Sequence, residues 1–246
     1  MIEIEKIIDQ NDKKIVEDHI KNINYKIEKN KNTEGIPFFD LGLISYNHAY
    51  EIQTYIFEQV RIENIRGSIL LLEHKPVITI GNNGRLDNLL VTQESLLEQG
   101  IELIHSNRGG DLTFHGPGQL VCYPVINLAY YGKDLTLFVW NLEQVIIDIL
   151  EKFGIKSKRI DKLRGIFVNT SKIASVGIHI KKWIALHGFS LNVNVNLNYF
   201  KNIIACGLKE YSQTSMQKIL NKEIPINDVK EQALQNFSKI FKFGLI

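Results

Sequence analysis

A glycine-rich segment at residues 108–120 constrains the fold of this chain more than any other stretch. Residues 108–118 hold four glycines and a proline, a composition that a packed core does not need. It lets the backbone turn sharply and present N–H groups to a ligand. Arg108 and His115 add a permanent cation and a group that titrates near neutral pH. The segment fits either a ligand-binding loop or a glycine-rich hairpin with a solvated arginine and a hydrogen-bonded histidine.

A thiol followed by a glycine is the second informative feature. Cys206 precedes Gly207 and lies 34 positions after Lys172. Only a thiolate is a good nucleophile, and a free cysteine, with a pKa of about 8.5, needs a cationic neighbour to be ionised at neutral pH. Lys172 could be that neighbour, or it could be an exposed charge on a hairpin. Cys206 could equally be a small apolar core residue, so the two residues alone leave both interpretations open.

Ordered blocks along the chain resemble the octanoyl (lipoyl) transferases, which move an octanoyl group from acyl carrier protein to a lysine of lipoyl domains. The blocks lie at residues 74–81, 108–120, 172–177, 187–194, 197–200, 206–207 and 214–215. They span roughly residues 38–216, and several blocks in a consistent order are a more specific signal than any one of them.

The resemblance implies a mechanism and a site. Cys206 would carry the acyl group, and Lys172 would favour its thiolate. The implied substrate-binding residues are Arg108, Gly109, Gly110, Asp111, Leu112, Thr113, Phe114, His115, Ser175, Val176, Gly177, Gly188, Phe189 and Ser190. The implied fold is a single α/β domain with a mixed sheet flanked by helices, like that of the biotin and lipoate protein ligases.

The same resemblance implies the partners of an acyltransferase. These are acyl carrier protein, lipoyl domains of 2-oxoacid dehydrogenase E2 subunits, and the glycine cleavage H protein. Neither ATP nor a metal is expected, and the chain is expected to be a monomer.

Three sites depart from the family pattern: Ala205 replaces a proline, Val195-Asn196 replaces Thr-Asp, and Phe167 replaces a tryptophan. None of them removes a reacting group.

Composition excludes several other classes of protein. A formal net charge of +2 implies no strong field for nucleic acid. Two cysteines, Cys122 and Cys206, cannot build a dense disulfide framework and fit a reducing compartment, so a cytoplasmic protein is expected. Cys122 lies in an apolar run and should be inert. His179 and His187 are not spaced as metal ligands, and no metal site is predicted.

The domain organisation is simple. The 246 residues suffice for one large α/β domain, and no repeat or linker interrupts residues 36–246. Residues 1–35 form a polar extension that should be partly helical or disordered; it has neither a signal-peptide nor a transit-peptide composition. No apolar run approaches the ~18 residues of a membrane span.

Periodicity predicts the main elements. Strands are expected at 68–72, 77–80, 101–105, 119–128, 165–168, 172–180 and 183–193. Ser45 should cap a helix whose apolar stripe is Tyr46, Ala49, Ile52, Ile56 and Val60. Further helices are expected at 93–99, at 138–153 before Gly154, and after a cap at Asn227, ending by Gly244.

Three other functions remain as alternatives. An ATP-dependent lipoate or biotin ligase of the same fold would use the arginine-glycine loop and Lys172, but it would not need Cys206. A non-catalytic module that binds a carrier protein should have lost Cys206 or Lys172. A thiol hydrolase should contain a histidine base oriented by Asp or Asn, and no such set can be identified from the sequence.

Overall fold

The computed structural model describes residues 10–30, 34–208 and 210–246. Parts of the predicted extension, residues 1–9 and 31–33, therefore lie outside the described residues. Within the described ranges the helices are α1 Gln10–Lys29, α2 Tyr46–Arg61, α3 Gln93–Glu98, α4 Leu135–Lys152, α5 Met216–Leu220 and α6 Ile226–Phe241. The strands are β1 Phe38–Ile44, β2 Gly67–His74, β3 Val77–Ile80, β4 Glu102–His105, β5 Leu112–His115, β6 Gln119–Ile126, β7 Lys158–Ile160, β8 Leu163–Val168, β9 Ser171–Lys181, β10 Ile184–Asn192 and β11 Ser212–Gln213.

A mixed sheet forms the centre of the molecule. Its strand order is β1-β2-β6-β10-β9-β8-β7, and β11 pairs with β9. β1 runs parallel to β2 and β11 parallel to β9, whereas the other neighbours are antiparallel. A smaller sheet has the order β4-β3-β5. The predicted α/β class with a mixed sheet is confirmed.

Helices cover both faces of the large sheet. α4 and α6 pack on one face around the main core cluster, and α2 packs on the other face. The helix predicted after Ser45 is present, because Ser45 Oγ accepts a hydrogen bond from the backbone N–H of His48 and caps its first turn. The predicted apolar stripe is buried in full: Tyr46, Ala49, Ile52, Ile56 and Val60.

Helix α1 lies on the outside of α2. Its buried side chains, Val16, Ile23 and Ile27, recur at helical spacing and belong to the same core cluster as α2. The placement of a domain boundary at residue 36 stays a prediction. No helix in the described part of the chain is both long and apolar enough to cross a bilayer.

The predicted start of the last helix is wrong. α6 begins at Ile226, with Pro225 rather than Asn227 at the N-cap position. Pro225 has a φ of −57°, and its ring fixes that angle near the helical value, so the helix starts two residues earlier than predicted without a side-chain cap. The helix ends at Phe241, before the predicted stop at Gly244.

β8 does not pair with β9 along its whole length, and the site lies where this pairing stops. β8 pairs with the first half of β9, as far as the contact of Ile166 with Ala174. Farther along, the glycine-rich loop takes the place of β8, because the N–H of Gly109 donates to the carbonyl of Ile178 at 2.9 Å. Val176 lies between these two neighbours of β9, and a cavity opens there.

Candidate active site

Lys172 and Cys206 are in direct contact. The Nζ of Lys172 lies 3.2 Å from the Sγ of Cys206. β9 supplies the lysine, and a short 3₁₀ turn between Ile204 and Leu208 supplies the cysteine. Lys172 is only 2% exposed, so the alternative of an exposed hairpin charge is wrong. An ammonium at this distance stabilises a thiolate more than a thiol.

Gly165 of β8 makes room for the lysine side chain. A Cβ on Gly165 would lie 2.8 Å from Cε of Lys172 and would collide with the carbonyl oxygen of Ala174. The N–H of Gly165 donates to Oε1 of Glu143, a buried carboxylate on α4, at 3.1 Å. The Lys172 ammonium also lies 5.8 Å from the ring centroid of Phe167. Packing and hydrogen bonding therefore fix the path of Lys172 toward the sulfur.

The cysteine turn has an unusual backbone. Cys206 has a φ of 56° and Gly207 a φ of 69°, both in the left-handed region. For a non-glycine residue this conformation costs roughly 1–2 kcal/mol, so the surrounding structure must hold it. A Cβ on Gly207 would lie 3.0 Å from Oδ2 of Asp111, which explains the glycine after the thiol.

Asp111 ties the glycine-rich loop to this turn. Its carboxylate accepts hydrogen bonds from the backbone N–H of Arg85, at 2.9 Å, and from Nδ2 of Asn88. The carbonyl of Asn88 in turn accepts the N–H of Ile204 at 2.8 Å. Asn88 was not predicted as a site residue, because a single asparagine in a polar loop carries no signal in the sequence.

Arg108 is a buried cation beside the cavity. Its guanidinium donates to the carbonyl and hydroxyl oxygens of Thr79 at 2.7 to 3.0 Å and to the carbonyl of Gly109 at 3.1 Å. Within the described chain it forms no salt bridge with a carboxylate. Burial lowers the pKa of Arg108, and the negative charge of a Cys206 thiolate opposes that shift. Arg108 and Lys172 together make this region favourable for a negative charge.

The cavity has a volume of about 570 Å³, within the range of sites for small molecules. Ten of its lining residues were predicted: Arg108, Gly109, Gly110, Asp111, Thr113, Lys172, Ser175, Val176, Gly177 and Cys206. The residues that sequence reasoning missed are Leu135, Thr136, Val139, Lys162, Leu163, Arg164, Ile178 and Leu208. Most of these come from α4 and β8, which no motif connected to the site.

Six predicted binding residues do not line the cavity. They are Leu112, Phe114, His115, Gly188, Phe189 and Ser190. Phe114 stacks on Tyr199 in the core of the small sheet, and Phe189 stacks on Phe237 in the main core. A Cβ on Gly188 would contact the backbone of Cys122 across β10 and β6, so sheet packing accounts for that glycine. A substrate-binding role for these six stays a prediction.

Three histidines form a buried group behind the loop. Burial lowers the pKa of His74 to about 4 and that of His187 to about 3. The pKa of His115 is lowered well below its usual value, first by burial and then by the charges of His74 and Arg108. All three are therefore neutral at pH 7. They support the fold: His115 Nδ1 bonds Oε1 of Gln119 at 2.7 Å, and His187 Nε2 bonds Oδ1 of Asn107 at 2.6 Å.

The second cysteine lies away from the cavity. Cys122 is fully buried in β6, and burial raises the pKa of its thiol well above the usual value. Its predicted inertness therefore has a physical basis. Among the described residues, no group of three or more His, Cys, Asp and Glu side chains could hold a metal ion.

Comparison with known proteins identifies the family. The model of the lipoyl protein ligase A/B catalytic domain matches residues 45–238. An octanoyltransferase of Caldicellulosiruptor saccharolyticus is 42% identical over 211 residues, covering 84% of this chain and 89% of that protein. The chain belongs to the octanoyltransferase family. An octanoyltransferase of Thermoanaerobacter sp. (strain X514) is 44% identical over 202 residues, covering 82% and 88% of the two chains.

Solved structures support the fold. Lipoate-protein ligase A bound with ATP matches with a TM-score of 0.68 at 14% identity, covering 87% of this chain and 88% of that chain. At that identity the likeness concerns the fold alone. The predicted family, the acyltransferase class and the ligase-like architecture are confirmed.

Proposed function

We propose that this chain transfers an octanoyl group from acyl carrier protein to a lysine of lipoyl domains through a thioester on Cys206. Octanoyl transfer in lipoylation agrees with the names of its relatives. The observation that carries the proposal is the 3.2 Å contact between the Lys172 ammonium and the Cys206 sulfur on the wall of a cavity. A ligase that activates a free acid with ATP would not need that pair.

The first half-reaction begins with the Cys206 thiolate. It attacks the carbonyl carbon of the carrier thioester, and the electron pair moves to the carbonyl oxygen. The cations Lys172 and Arg108 lie on the cavity wall and would stabilise this oxyanion; removal of one such group typically costs about 3–4 kcal/mol. The N–H of Gly207 donates to the carbonyl of Ile204, so it is not free to donate to this oxyanion.

The collapse of this intermediate releases the carrier thiol. The bond between the acyl carbon and the carrier sulfur breaks, and the Lys172 ammonium gives its proton to that sulfur. One thioester replaces another, so the step is nearly balanced in energy and needs no ATP. The octanoyl group is then held on Cys206 and Lys172 is neutral.

The second half-reaction forms the amide. The neutral amine of the lipoyl-domain lysine attacks the Cys206 thioester, and neutral Lys172 takes a proton from that nitrogen as the carbon–nitrogen bond forms. The bond between the acyl carbon and Sγ breaks, which restores the thiolate beside the Lys172 ammonium. An amide is more stable than a thioester, and this difference drives the transfer forward. Lipoyl domains of 2-oxoacid dehydrogenase E2 subunits and the glycine cleavage H protein are the proposed acceptors.

Intact-protein mass spectrometry tests the proposal. The wild type mixed with octanoyl-acyl carrier protein, without ATP, should gain one octanoyl group that hydroxylamine removes. The Cys206→Ser variant should gain no hydroxylamine-labile thioester. A wild type that forms no adduct, but makes product from free octanoate and ATP, would assign the chain to the ligases instead.

A further inference from the structure

The most basic segment of the chain borders the cavity. Five of the nine residues at 156–164 are basic, although the whole chain has a net charge of only +2. They lie on and beside the hairpin of β7 and β8, at the edge of the large sheet. Four of the five are exposed and make no ion pair within the described chain: Lys156, Lys158, Lys162 and Arg164. Asp161 is the acidic residue of this segment.

Two apolar side chains of α4 are exposed beside this hairpin. Leu135 and Trp140 are 43% and 53% exposed, and Trp140 contacts Arg159 of β7. Leu135 lines the cavity, as do Lys162 and Arg164 of the hairpin. The entrance to the site thus has exposed cations on one side and exposed apolar groups on the other. These features define a mouth surface: Leu135, Trp140, Lys162 and Arg164.

The two sides of the mouth surface are held together rigidly. Arg159 of β7 donates from Nε to the buried carboxylate of Glu143 at 3.0 Å. The guanidinium of Arg159 stacks 3.6 Å from the ring centroid of Trp140 and donates to its carbonyl at 2.8 Å. The N–H of Gly165 completes the link to Glu143. The mouth surface is therefore preformed, which reduces the entropy lost when a partner binds.

Lysines on an edge strand can also prevent association between sheets. That role would not require cations on the wall of a cavity, nor exposed leucine and tryptophan beside them. An aromatic anchor beside exposed charges that are mainly of one sign is instead typical of a protein interface. The charge fits an acidic partner, and the cavity lies directly behind the surface.

We infer that the mouth surface docks an acidic protein that carries the acyl thioester on a flexible arm, an inference that rests on the proposed function. The acidic protein would contact Lys162 and Arg164, while its apolar groups pack on Trp140. Its arm would then enter the cavity past Leu135 to reach Cys206. Attraction between the opposite charges accelerates encounter, an effect that salt suppresses.

The test compares two acyl donors that share the same chemistry at Cys206. One is octanoyl-acyl carrier protein, and the other is octanoyl-N-acetylcysteamine, an uncharged thioester without a protein. For Lys162→Glu/Arg164→Glu, the ratio of kcat/KM for the carrier donor to kcat/KM for the small donor should fall about tenfold at low ionic strength. Damage to the chemical step affects both donors and cancels in this ratio.

A matched control has the same change in charge elsewhere. Lys13→Glu/Lys14→Glu alters two exposed lysines of α1, which lies on the opposite face of the sheet, and should leave the ratio unchanged. The ratio for the wild type should also fall as salt is added, and that for Lys162→Glu/Arg164→Glu should fall less.

Three results would overturn the inference. An unchanged ratio in Lys162→Glu/Arg164→Glu, with Cys206 still acylated, would remove the docking role and leave the proposed function intact. A wild-type dimer that this variant converts to a monomer would assign the surface to a second copy of the chain. Failure of both donors to acylate the wild type would remove the proposed function and the docking role together.

Discussion

Lys172 is a buried cation whose nearest polar partner is a sulfur atom. Its side chain lies 3.2 Å from Cys206 Sγ, and within the described residues it makes no ion pair with a carboxylate. Burial of an unpaired charge is costly, so a charged lysine in this position needs a negative partner. The thiolate of Cys206 is placed to be that partner. The pair therefore differs from a surface lysine that happens to lie beside a cysteine.

Substitutions of Lys172 should separate its two proposed roles. In Lys172→Ala, alkylation of Cys206 by iodoacetamide at pH 7 should slow roughly tenfold to a hundredfold, because a hydrogen bond to a charged group is worth roughly 1.5–3 kcal/mol. Lys172→Arg should keep much of the alkylation rate, because arginine supplies a cation. It should still accept the octanoyl group, because the carrier sulfur can leave as a thiolate and take its proton from water. It should fail to pass the group to a lipoyl domain, because arginine cannot become neutral and take a proton from the attacking amine.

The buried Cys122 serves as the internal reference for this measurement. It should alkylate far more slowly than Cys206 in the folded protein, since rate depends on access and on the fraction of thiolate. Equal labelling of the two thiols, or unchanged alkylation and transfer in Lys172→Ala, would contradict the roles assigned to Cys206 and Lys172.

Strand geometry explains why some predicted site residues lie elsewhere. Successive side chains of a strand point to opposite faces. In β5, Thr113 lines the cavity while its neighbours Leu112 and Phe114 enter the core of the small sheet. A resemblance that covers a block of residues cannot distinguish these two faces. It indicates the segment as a whole, whereas the structure shows which of its side chains line the cavity.

At the scale of elements, β8 and β9 act together to aim Lys172. Gly165 has a φ of 106°, a conformation that alanine avoids. A Cβ there would also press on Cε of Lys172 at 2.8 Å and on the backbone of Ala174. This glycine was predicted only as part of a strand, although a glycine inside a strand often marks the close approach of another group.

Gly165→Ala should therefore damage both stability and the site. Backbone strain and overpacking each cost roughly 1–3 kcal/mol, so the free energy of unfolding should fall clearly in a denaturant titration. The molecules that remain folded should show slower alkylation of Cys206, because Lys172 is displaced.

Gly154→Ala is the matched control for Gly165→Ala. Gly154 also has a positive φ, of 75°, but a Cβ there would meet nothing within 4 Å. Gly154→Ala should lower the free energy of unfolding only by the backbone strain, roughly 1–2 kcal/mol. It should keep the wild-type rate of Cys206 alkylation. If Gly165→Ala alkylated at the rate of Gly154→Ala, then Gly165 would not position Lys172.

Elements with a clear apolar pattern were predicted from sequence, including the short strand β3, whereas β7 and β11 were not. β10 and α4 have enough residues to reveal an apolar face, and both were expected close to their observed bounds. β7 spans 3 residues and β11 spans 2, too few for a period to appear. Their pairing depends on contacts with β8 and β9, which local sequence does not encode.

At the scale of the whole molecule, the cavity is built from segments far apart in the chain. Its walls come from the loop at 108–111, α4, β8, β9 and the turn at Cys206. Periodicity identifies the buried face of each element but not the end of the sheet at which the elements meet. The walls from α4 and β8 therefore could not be predicted, whereas the Lys172–Cys206 pair was predicted from the family resemblance alone.

Three neutral histidines also give the whole molecule a sensitivity to acid. The pKa values of His74 and His187 are about 4 and about 3 in the folded chain, against 6.5 for an unperturbed histidine. Below pH 6.5, and down to these lowered pKa values, the unfolded chain binds protons that the folded chain does not. The contribution of these histidines to stability is therefore fully present above about pH 6.5. It is lost as the pH falls toward 4 for His74 and toward 3 for His187. The lowered pKa of His115 acts in the same direction.

The free energy of unfolding should accordingly fall between pH 7 and pH 5, by on the order of 2 kcal/mol for each of His74 and His187. His187→Asn should reduce that fall by about one such contribution, because the substituted residue does not titrate. Asparagine suits the site because His187 has a φ of 59°, a conformation that asparagine tolerates.

Carboxylates also titrate in this range, so the control is His105→Asn at an exposed position, which should keep the full wild-type difference between the two pH values. Urea titrations of the three proteins at both pH values measure this difference. If His187→Asn lost as much stability as the wild type between pH 7 and pH 5, then His187 would not be held neutral by its burial.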